Sequence, residues 1–324
     1  MGKGFIGSRQ TTLASEIELT GTGVHSGAPV SITLHPAEAN VGIRFIVIDG
    51  SDIETEIVAD YRAVSNVTLC TILSDGNGGS VATVEHLLAA IRGLCIDNVI
   101  IEIDRASECA GAEVPIMDGS AAPFVQAIDE VGIRELGASR KFIKVLKPIR
   151  VEDSGCWGEL FPHSGFHLDI EIDFEAPIIG RQRRTLEMNP GAFRAEVSRA
   201  RTFGFMREVE QLWAAGRALG ASLENTVALG DNEIINREGL RYSDEFVRHK
   251  MLDAIGDLAL AGAPLLGGYR SYRGGHRLNS LALKSLFADR DAWTLVHAPS
   301  FVREPARVGA PVGVAAASFA ADRN

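Results

Sequence analysis

The stretch DEFVRHKMLDAIGDLALAG, residues 244–262, decides how this chain is read. Its spacing predicts one helix of about five turns at ~3.6 residues per turn. Asp244 and Glu245 stand at its start, where carboxylates suit the helix dipole, and Gly262 followed by Pro264 stops it. Phe246, Leu252, Ile255 and Leu258 supply an apolar, core-facing stripe. At its edge His249, Asp253 and Asp257 recur every fourth residue, so they stand one above another on a single face. Such a pair on an arbitrary helix is ordinarily a surface hydrogen bond, but a His and an Asp one turn apart can also hold one metal ion. Two further pieces favour the second reading: a Glu-His pair in TVEHLLAA (83–90) and a Gly-Gly-His at 274–276.

The chain has 324 residues, enough for one large or two medium domains with a substantial core. A hydrophobic content of 46% with 23% charged residues describes an ordinary globular protein. The formal net charge of −10 argues against a general nucleic-acid binder. An anionic substrate remains compatible, because Arg181, Arg183, Arg184, Arg199, Arg201, Arg270 and Arg273 form either a local basic patch or solvated surface. The four cysteines, Cys70, Cys95, Cys109 and Cys156, form no CxxC pair and imply reduced thiols in a cytoplasmic setting. The first ten residues lack the apolar core of a signal peptide, and no apolar run approaches the ~20 residues of a membrane span, so any membrane contact is expected to be peripheral.

From 11 to about 58, alternating apolar residues between Gly, Pro and Asn turns predict strands, with another at 66–73. Residues 81–94 predict a helix capped by Thr83 or Ser80, 97–103 a buried strand, 105–111 a loop, and about 121–131 a helix. The second half repeats this order. Strands are expected near 142–146, 157–161, 166–174 and 182–186, and a helix opens at Asn189-Pro190 with Asn as cap. A helix at 206–215, a strand at 225–229, the 244–262 helix, a strand at 266–272 and a helix from His276 follow. Helix, strand, helix closes both halves, which suggests an internal duplication without residue identity. The apolar pattern lapses at 132–141, the expected linker, and the tail beyond Glu304 has no periodicity.

A hydrolytic zinc site needs about three protein ligands, an open position, a base and an oxyanion stabiliser. His86 can complete a His2Asp set with His249 and Asp253. Glu85 points about 100° round its helix from His86 and can serve as general base. His276, after two glycines at a helix start, can act as a cation toward an oxyanion and a leaving amine, with Asp257 holding its charged form. Thr202 in ARTFGF can add an oxyanion donor. Each has a plain structural alternative: a surface Glu beside a core-edge His, a His filling a helical turn, a strand-end hydroxyl bound to backbone. No GxSxG is present, Cys70 has no neighbouring base, and GTGVHSG and GNGGS read as turns, lacking the context of a nucleotide fold. From the residues alone the favoured reading is a His2Asp zinc hydrolase.

The pieces QTTLASEIELTGTGVHSG, TLCT, TVEHLLAAIRGLCIDNVIIEI, EVPIMDGSAAPF, ARTFGFMREVEQL, EGLRYSDEFVRHKMLDAIGDLALAG and GGHRLN occur in this order over about 10–288. Together they resemble the UDP-3-O-acyl-N-acetylglucosamine deacetylase (LpxC) family of lipid A biosynthesis. The resemblance implies an α+β fold of two similar domains, each a β-sheet layered with α-helices, the helix layers packed face to face. Domains are accordingly expected at 1–135 and 136–305, with a disordered tail at 306–324. It implies one Zn2+ per chain, with Fe2+ as the alternative in the cell, on His86, His249 and Asp253. Glu85 would be the base and His276 the acid, oriented by Asp257. Thr202 would donate to the oxyanion, and Lys250 would lie near the scissile amide.

The implied reaction is hydrolysis of the sugar's 2-acetamido group with release of acetate. Implied substrate contacts are Leu69, Cys70, Phe174, Phe203 and Arg273, with Met206, Val209, Trp213 and Leu219 as walls of an acyl tunnel in an insert at 205–229. The expected partner is an acylated UDP-amino sugar and no nucleic acid, for a cytoplasmic monomer in at most peripheral contact with the inner membrane. Three departures from the family pattern stand out: Gly274 for Ser, Cys156 for Lys and Arg273 for Lys. A longer stretch at 105–112 is a fourth. The competing reading is a paralogue that keeps fold and metal but binds an acylated nucleotide sugar or a protein without turnover. A zinc peptidase is disfavoured by the absence of HExxH.

Overall fold

The computed structural model describes residues 7–48, 54–104 and 111–298. The helices are α1 (Glu85–Gly93), α2 (Ala122–Val131), α3 (Pro190–Glu196), α4 (Met206–Ala214), α5 (Glu245–Ala259) and α6 (His276–Ala288). Alternating apolar residues in Pro29–Pro36, Ile43–Ile48 and Phe166–Asp173 produce alternating burial, because each such sheet turns one face to helices and the other outward.

The architecture is α+β, and its topology repeats. In the first half the strands lie in the spatial order Ile17–Thr22, Pro29–Pro36, Val99–Asp104, Ile43–Ile48, Glu54–Val58. Their pairings run antiparallel, antiparallel, parallel, antiparallel. In the second half Ile149–Asp153, Cys156–Phe161, Leu265–Tyr272, Phe166–Asp173 and Arg181–Glu187 follow the same order with the same senses. In each half the middle strand is reached through a long helix, α1 or α5, and followed by another, α2 or α6. The duplication suggested by element order is therefore carried by strand pairing. The second half adds α3, α4 and the short parallel pair Phe203–Phe205 and Val227–Leu229 before α5. It also adds Lys141–Val145 and Trp293–His297 at the sheet margin.

Helix α1 is buried along its whole length and packs on α5. The helices meet at Gly256, where a Cβ would come within 2.0 Å of the Glu85 carbonyl oxygen. The α5 stripe Phe246, Leu252, Ile255 and Leu258 is buried as expected, and His249, Asp253 and Asp257 are buried with it. A helix enclosed between a sheet and another helix has no solvent face.

Several local expectations differ. Residues 66–73 are not one strand: Val64–Asn66 and Ile72–Ser74 pair antiparallel. Between them Leu69 has a positive φ of 72°, and Asn66 Oδ1 accepts from the Thr68 amide at 2.7 Å. Neither Thr83 nor Ser80 caps α1. Ser80 lies in a strand, and Thr83, at φ 59°, donates its hydroxyl to Glu113 Oε1 at 3.1 Å. The expected linker at 132–141 is mostly the strand Ile133–Ser139, paired antiparallel with Arg9–Leu13. Its weak pattern reflects a two-stranded sheet with little to bury. The strands Ile149–Asp153 and Trp293–His297 were not expected. Most of the loop expected at 105–111, and the tail, lie outside the described residues.

Candidate metal centre and active site

Helix α5 presents His249, Asp253 and Asp257 at one level after another, and α1 brings Glu85 and His86 against them. The His249 ring donates Nδ1–H to the Ala200 carbonyl at 3.1 Å, which leaves the Nε2 lone pair free. That lone pair faces Asp253 Oδ1 at 3.3 Å. Burial pushes the His249 pKa down to about 3, so the imidazole is neutral and the contact is no ion pair. Lys250 Nζ binds the other oxygen, Asp253 Oδ2, at 2.8 Å, while Oδ1 is buried with no hydrogen-bond partner among the described residues. Burial opposes charge on Asp253, but the Lys250 ammonium beside it outweighs that cost and holds the carboxyl well below its usual range. His86 Nε2 stands 3.7 Å from the same Oδ1, its ring edge-on to His249 with centroids 5.0 Å apart. Three donor atoms from three buried residues converge within 4.8 Å. The His249 lone pair facing a carboxylate oxygen is repulsive unless a cation lies between them. The donor set fits a borderline metal such as zinc.

Around this point stand the other candidate groups. Glu85 is buried, and burial raises its pKa. Its Oε2 accepts from the Thr71 amide at 3.1 Å, and its Oε1 lies 3.7 Å from His276 Nε2. His276 Nδ1 donates to Asp257 Oδ2 at 2.8 Å. Burial would keep this imidazole neutral, yet Asp257, with Glu85 and Asp253 behind it, raises its pKa to about 10. Asp257 also accepts from Thr71 Oγ1 at 2.6 Å and from Asn279 Nδ2 at 2.8 Å. Tyr269 in turn donates to Asn279 Oδ1 at 2.7 Å. Thr71, Asn279 and Tyr269 escaped the sequence reading. Of the three, Thr71 in TLCT and Asn279 in GGHRLN carried a signal, each a polar side chain in a motif already singled out.

Thr202 lies at the entry of Phe203–Phe205, its amide held by Gly119 O at 2.8 Å. Phe203 packs on Phe246, Phe174 and His249, and Lys250 Nζ stands 5.6 Å from its ring centre. Leu69 is exposed, whereas Cys70 is buried and its thiol is pushed up to about 12 by burial, which leaves it unreactive. A cleft of about 420 Å³ gathers Phe174, Lys250, Arg273 and Cys156. A separate apolar groove is lined by Met206, Val209, Trp213 and Leu223. Leu219 does not line it and packs over Gly27 instead. The arginines expected as a basic patch are mostly neutralised. Arg183 pairs with Asp169, Arg184 with Asp244, Arg201 with Glu245, Arg270 with Glu159, and Arg181 with Glu171. Gly275, which precedes His276, has an extended backbone at φ −175° that any residue adopts.

A buried His2Asp donor set with a carboxylate base and a charged imidazole, on a duplicated α+β frame, defines a candidate metal-assisted hydrolase. Residues 10–288 match the model of the family described as LpxC: UDP-3-O-acyl N-acetylglycosamine deacetylase, and the chain belongs to that family. It is 50% identical over 290 residues to a protein of Brucella ovis named UDP-3-O-acyl-N-acetylglucosamine deacetylase, covering 89% of this chain and 99% of the relative. A Brucella abortus protein of the same name gives the same figures, and one from Brucella melitensis biotype 2 is 49% identical over the same lengths.

Proposed function

We propose that this protein hydrolyses the 2-acetamido group of UDP-3-O-acyl-N-acetylglucosamine, releasing acetate and UDP-3-O-acyl-glucosamine, an early committed step of lipid A biosynthesis. The observation that carries the reading is Asp253 Oδ1, without a hydrogen-bond partner among the described residues and buried against the lone pair of His249. His86, His249 and Asp253 would hold one zinc ion, with iron(II) as the alternative in the cell. Bound there, it would supply Lewis-acid polarisation of the amide carbonyl and a more acidic water.

The chain's own residues would do the rest. Glu85, its pKa raised by burial, takes the proton of the attacking water. The water oxygen bonds to the acetyl carbon, and Thr202 and Lys250 stabilise the charge that gathers on the carbonyl oxygen. His276, kept charged by Asp257, gives its Nε2 proton to the sugar nitrogen as the carbon–nitrogen bond breaks. Acetate and a free amine result. The groove of Met206, Val209 and Trp213 suits the 3-O-acyl chain. Phe174 and Arg273 suit the nucleotide, with Leu69, Cys70 and Phe203 near sugar and chain. We assign residues 1–135 and 136–305 as the two domains, and a cytoplasmic monomer as the working form. Among the described residues no helix is long and apolar enough to cross a membrane.

The test is a deacetylation assay on UDP-3-O-acyl-N-acetylglucosamine, with metal content measured on the same sample. Activity lost to a chelator and restored by about one equivalent of zinc is the expected result. Stoichiometric metal without turnover would overturn it in favour of a non-catalytic paralogue.

A further inference from the structure

We propose that the chain carries a second ligand site, for a short-chain carboxylate, at the end of α1 remote from the candidate metal centre. Arg92 lies six residues beyond His86, about 9 Å along the helix axis at ~1.5 Å per residue. It is only 8% exposed, and its Nε and Nη1 are buried with no hydrogen-bond partner among the described residues. The nearest carboxylate oxygen, Asp97 Oδ1, is 3.9 Å from Nη1, beyond hydrogen-bond reach. The other oxygen of Asp97 is occupied by Arg140 at 2.8 Å and by the Thr11 amide at 2.9 Å. Two buried guanidinium groups thus share one carboxylate.

Among the described residues no other group facing the site supplies a negative charge. Burial raises the Cys95 pKa, which keeps the thiol neutral. Lys141, on the polar side, adds positive charge and binds Asn40. Arg194 is paired with Asp129. Apart from Asp97, no acidic residue among the described residues lines either cavity beside Arg92. A buried charge that shares its counter-ion with another is under-compensated, which is costly, and water filling the space would not neutralise it.

The space beside Arg92 specifies the rest of the ligand. One cavity, of about 70 Å³, is walled by Phe142, Phe166, Met188, Ile255 and Leu258. A polar cleft of about 130 Å³ opens on the other side of the same guanidinium and offers entry. A carboxylate with two to four carbons places its charge on Arg92 and its chain among these apolar side chains. The occupant would bridge the end of α1 to α5, the two helices whose facing sides carry the candidate metal ligands.

The test is thermal unfolding of the metal-loaded protein in butyrate against chloride at equal ionic strength. A saturable rise in Tm with butyrate is expected. Arg92→Met should abolish that rise and, by removing an uncompensated charge, keep or raise Tm in chloride. Soaking crystals with 3-bromopropionate gives a check independent of the variant: an anomalous peak in the cavity beside Arg92. The proposal is overturned by no rise beyond chloride, by an equal rise in Arg92→Met, or by an equal rise with sulfate, which would mean a simple anion without a chain.

Discussion

Asp253 gives its two oxygens to unlike partners, and that asymmetry organises the centre. Lys250 takes one oxygen at 2.8 Å and fixes the rotamer, so the other faces the two imidazoles with no hydrogen-bond partner among the described residues. Glu85 lies outside that set, tied to the Thr71 amide. Glu85→Ala should therefore lower turnover by about a hundredfold or more while leaving metal content unchanged. Metal loss in that variant, measured by elemental analysis, would move Glu85 from base to ligand. His276 makes a different prediction, one about pH. In the metal-free protein its pKa is about 10 against an ordinary 6.5, so its contribution to stability is complete below pH 6.5 and fades as pH rises to 10. The stability gap between wild type and His276→Gln, from urea unfolding of metal-stripped samples, should shrink across that window. A gap that widened with pH would show that this imidazole is not held charged.

At the scale of elements the site depends on how closely α1 approaches α5. Gly256 has ordinary helical geometry, so its value lies in the missing side chain: a Cβ there would stand 2.0 Å from Glu85 O and 2.7 Å from its carbonyl carbon. Backbone cannot yield as a flexible side chain can. Gly256→Ala should destabilise the protein by about 1–3 kcal/mol or more in denaturant titrations. It should also depress activity beyond any loss of folded protein, because the base would shift away from the metal ligands. A variant with unchanged stability and rate would mean that the helices have room to slide. The other end of α5 is pinned by a buried ion pair, in which Arg201 meets Glu245 at 2.9 Å and also binds the Gly239 carbonyl at 2.7 Å. Arg201 adjoins Thr202, so this pair fixes the insert to the helix that carries the site.

Across the whole molecule, two sheets of the same strand order enclose the helices, and the candidate centre forms where their long helices meet. Only the second half carries the insert with α4. The apolar groove is formed by that insert, and in the proposed reaction it would give the acyl chain a direction to lie in. Trp213→Ala should raise KM for a long-acyl substrate by about tenfold, with little change in kcat, because the lost contact is made equally in ground and transition states. An effect of the same size on a substrate with a two-carbon acyl group would assign Trp213 to folding of the insert.

Strong local signals decided part of this structure before any tertiary contact. The Asn189 cap holds as read, with Oδ1 accepting from the Ala192 amide at 3.0 Å. The i, i+4 recurrence of His249, Asp253 and Asp257 put three groups on one helical face, and 3.6-residue periodicity needs only the chain itself. The site residues of α1 and α6 were legible as short motifs, but not the groups that hold them. Thr71, Asn279 and Tyr269 are ordinary residues whose role arises from the elements they adjoin. The cap of α1 was misread because Thr83 serves Glu113, thirty residues away, instead of its own helix. The strand at Ile133–Ser139 was not legible because it pairs with Arg9–Leu13, a contact no local pattern announces. Periodicity, the Asn189 cap and motif chemistry are properties of neighbours along the chain and were readable locally. Strand order, the Gly256 approach and the pairing or isolation of buried charges depend on distant segments meeting, and only the tertiary structure decided them.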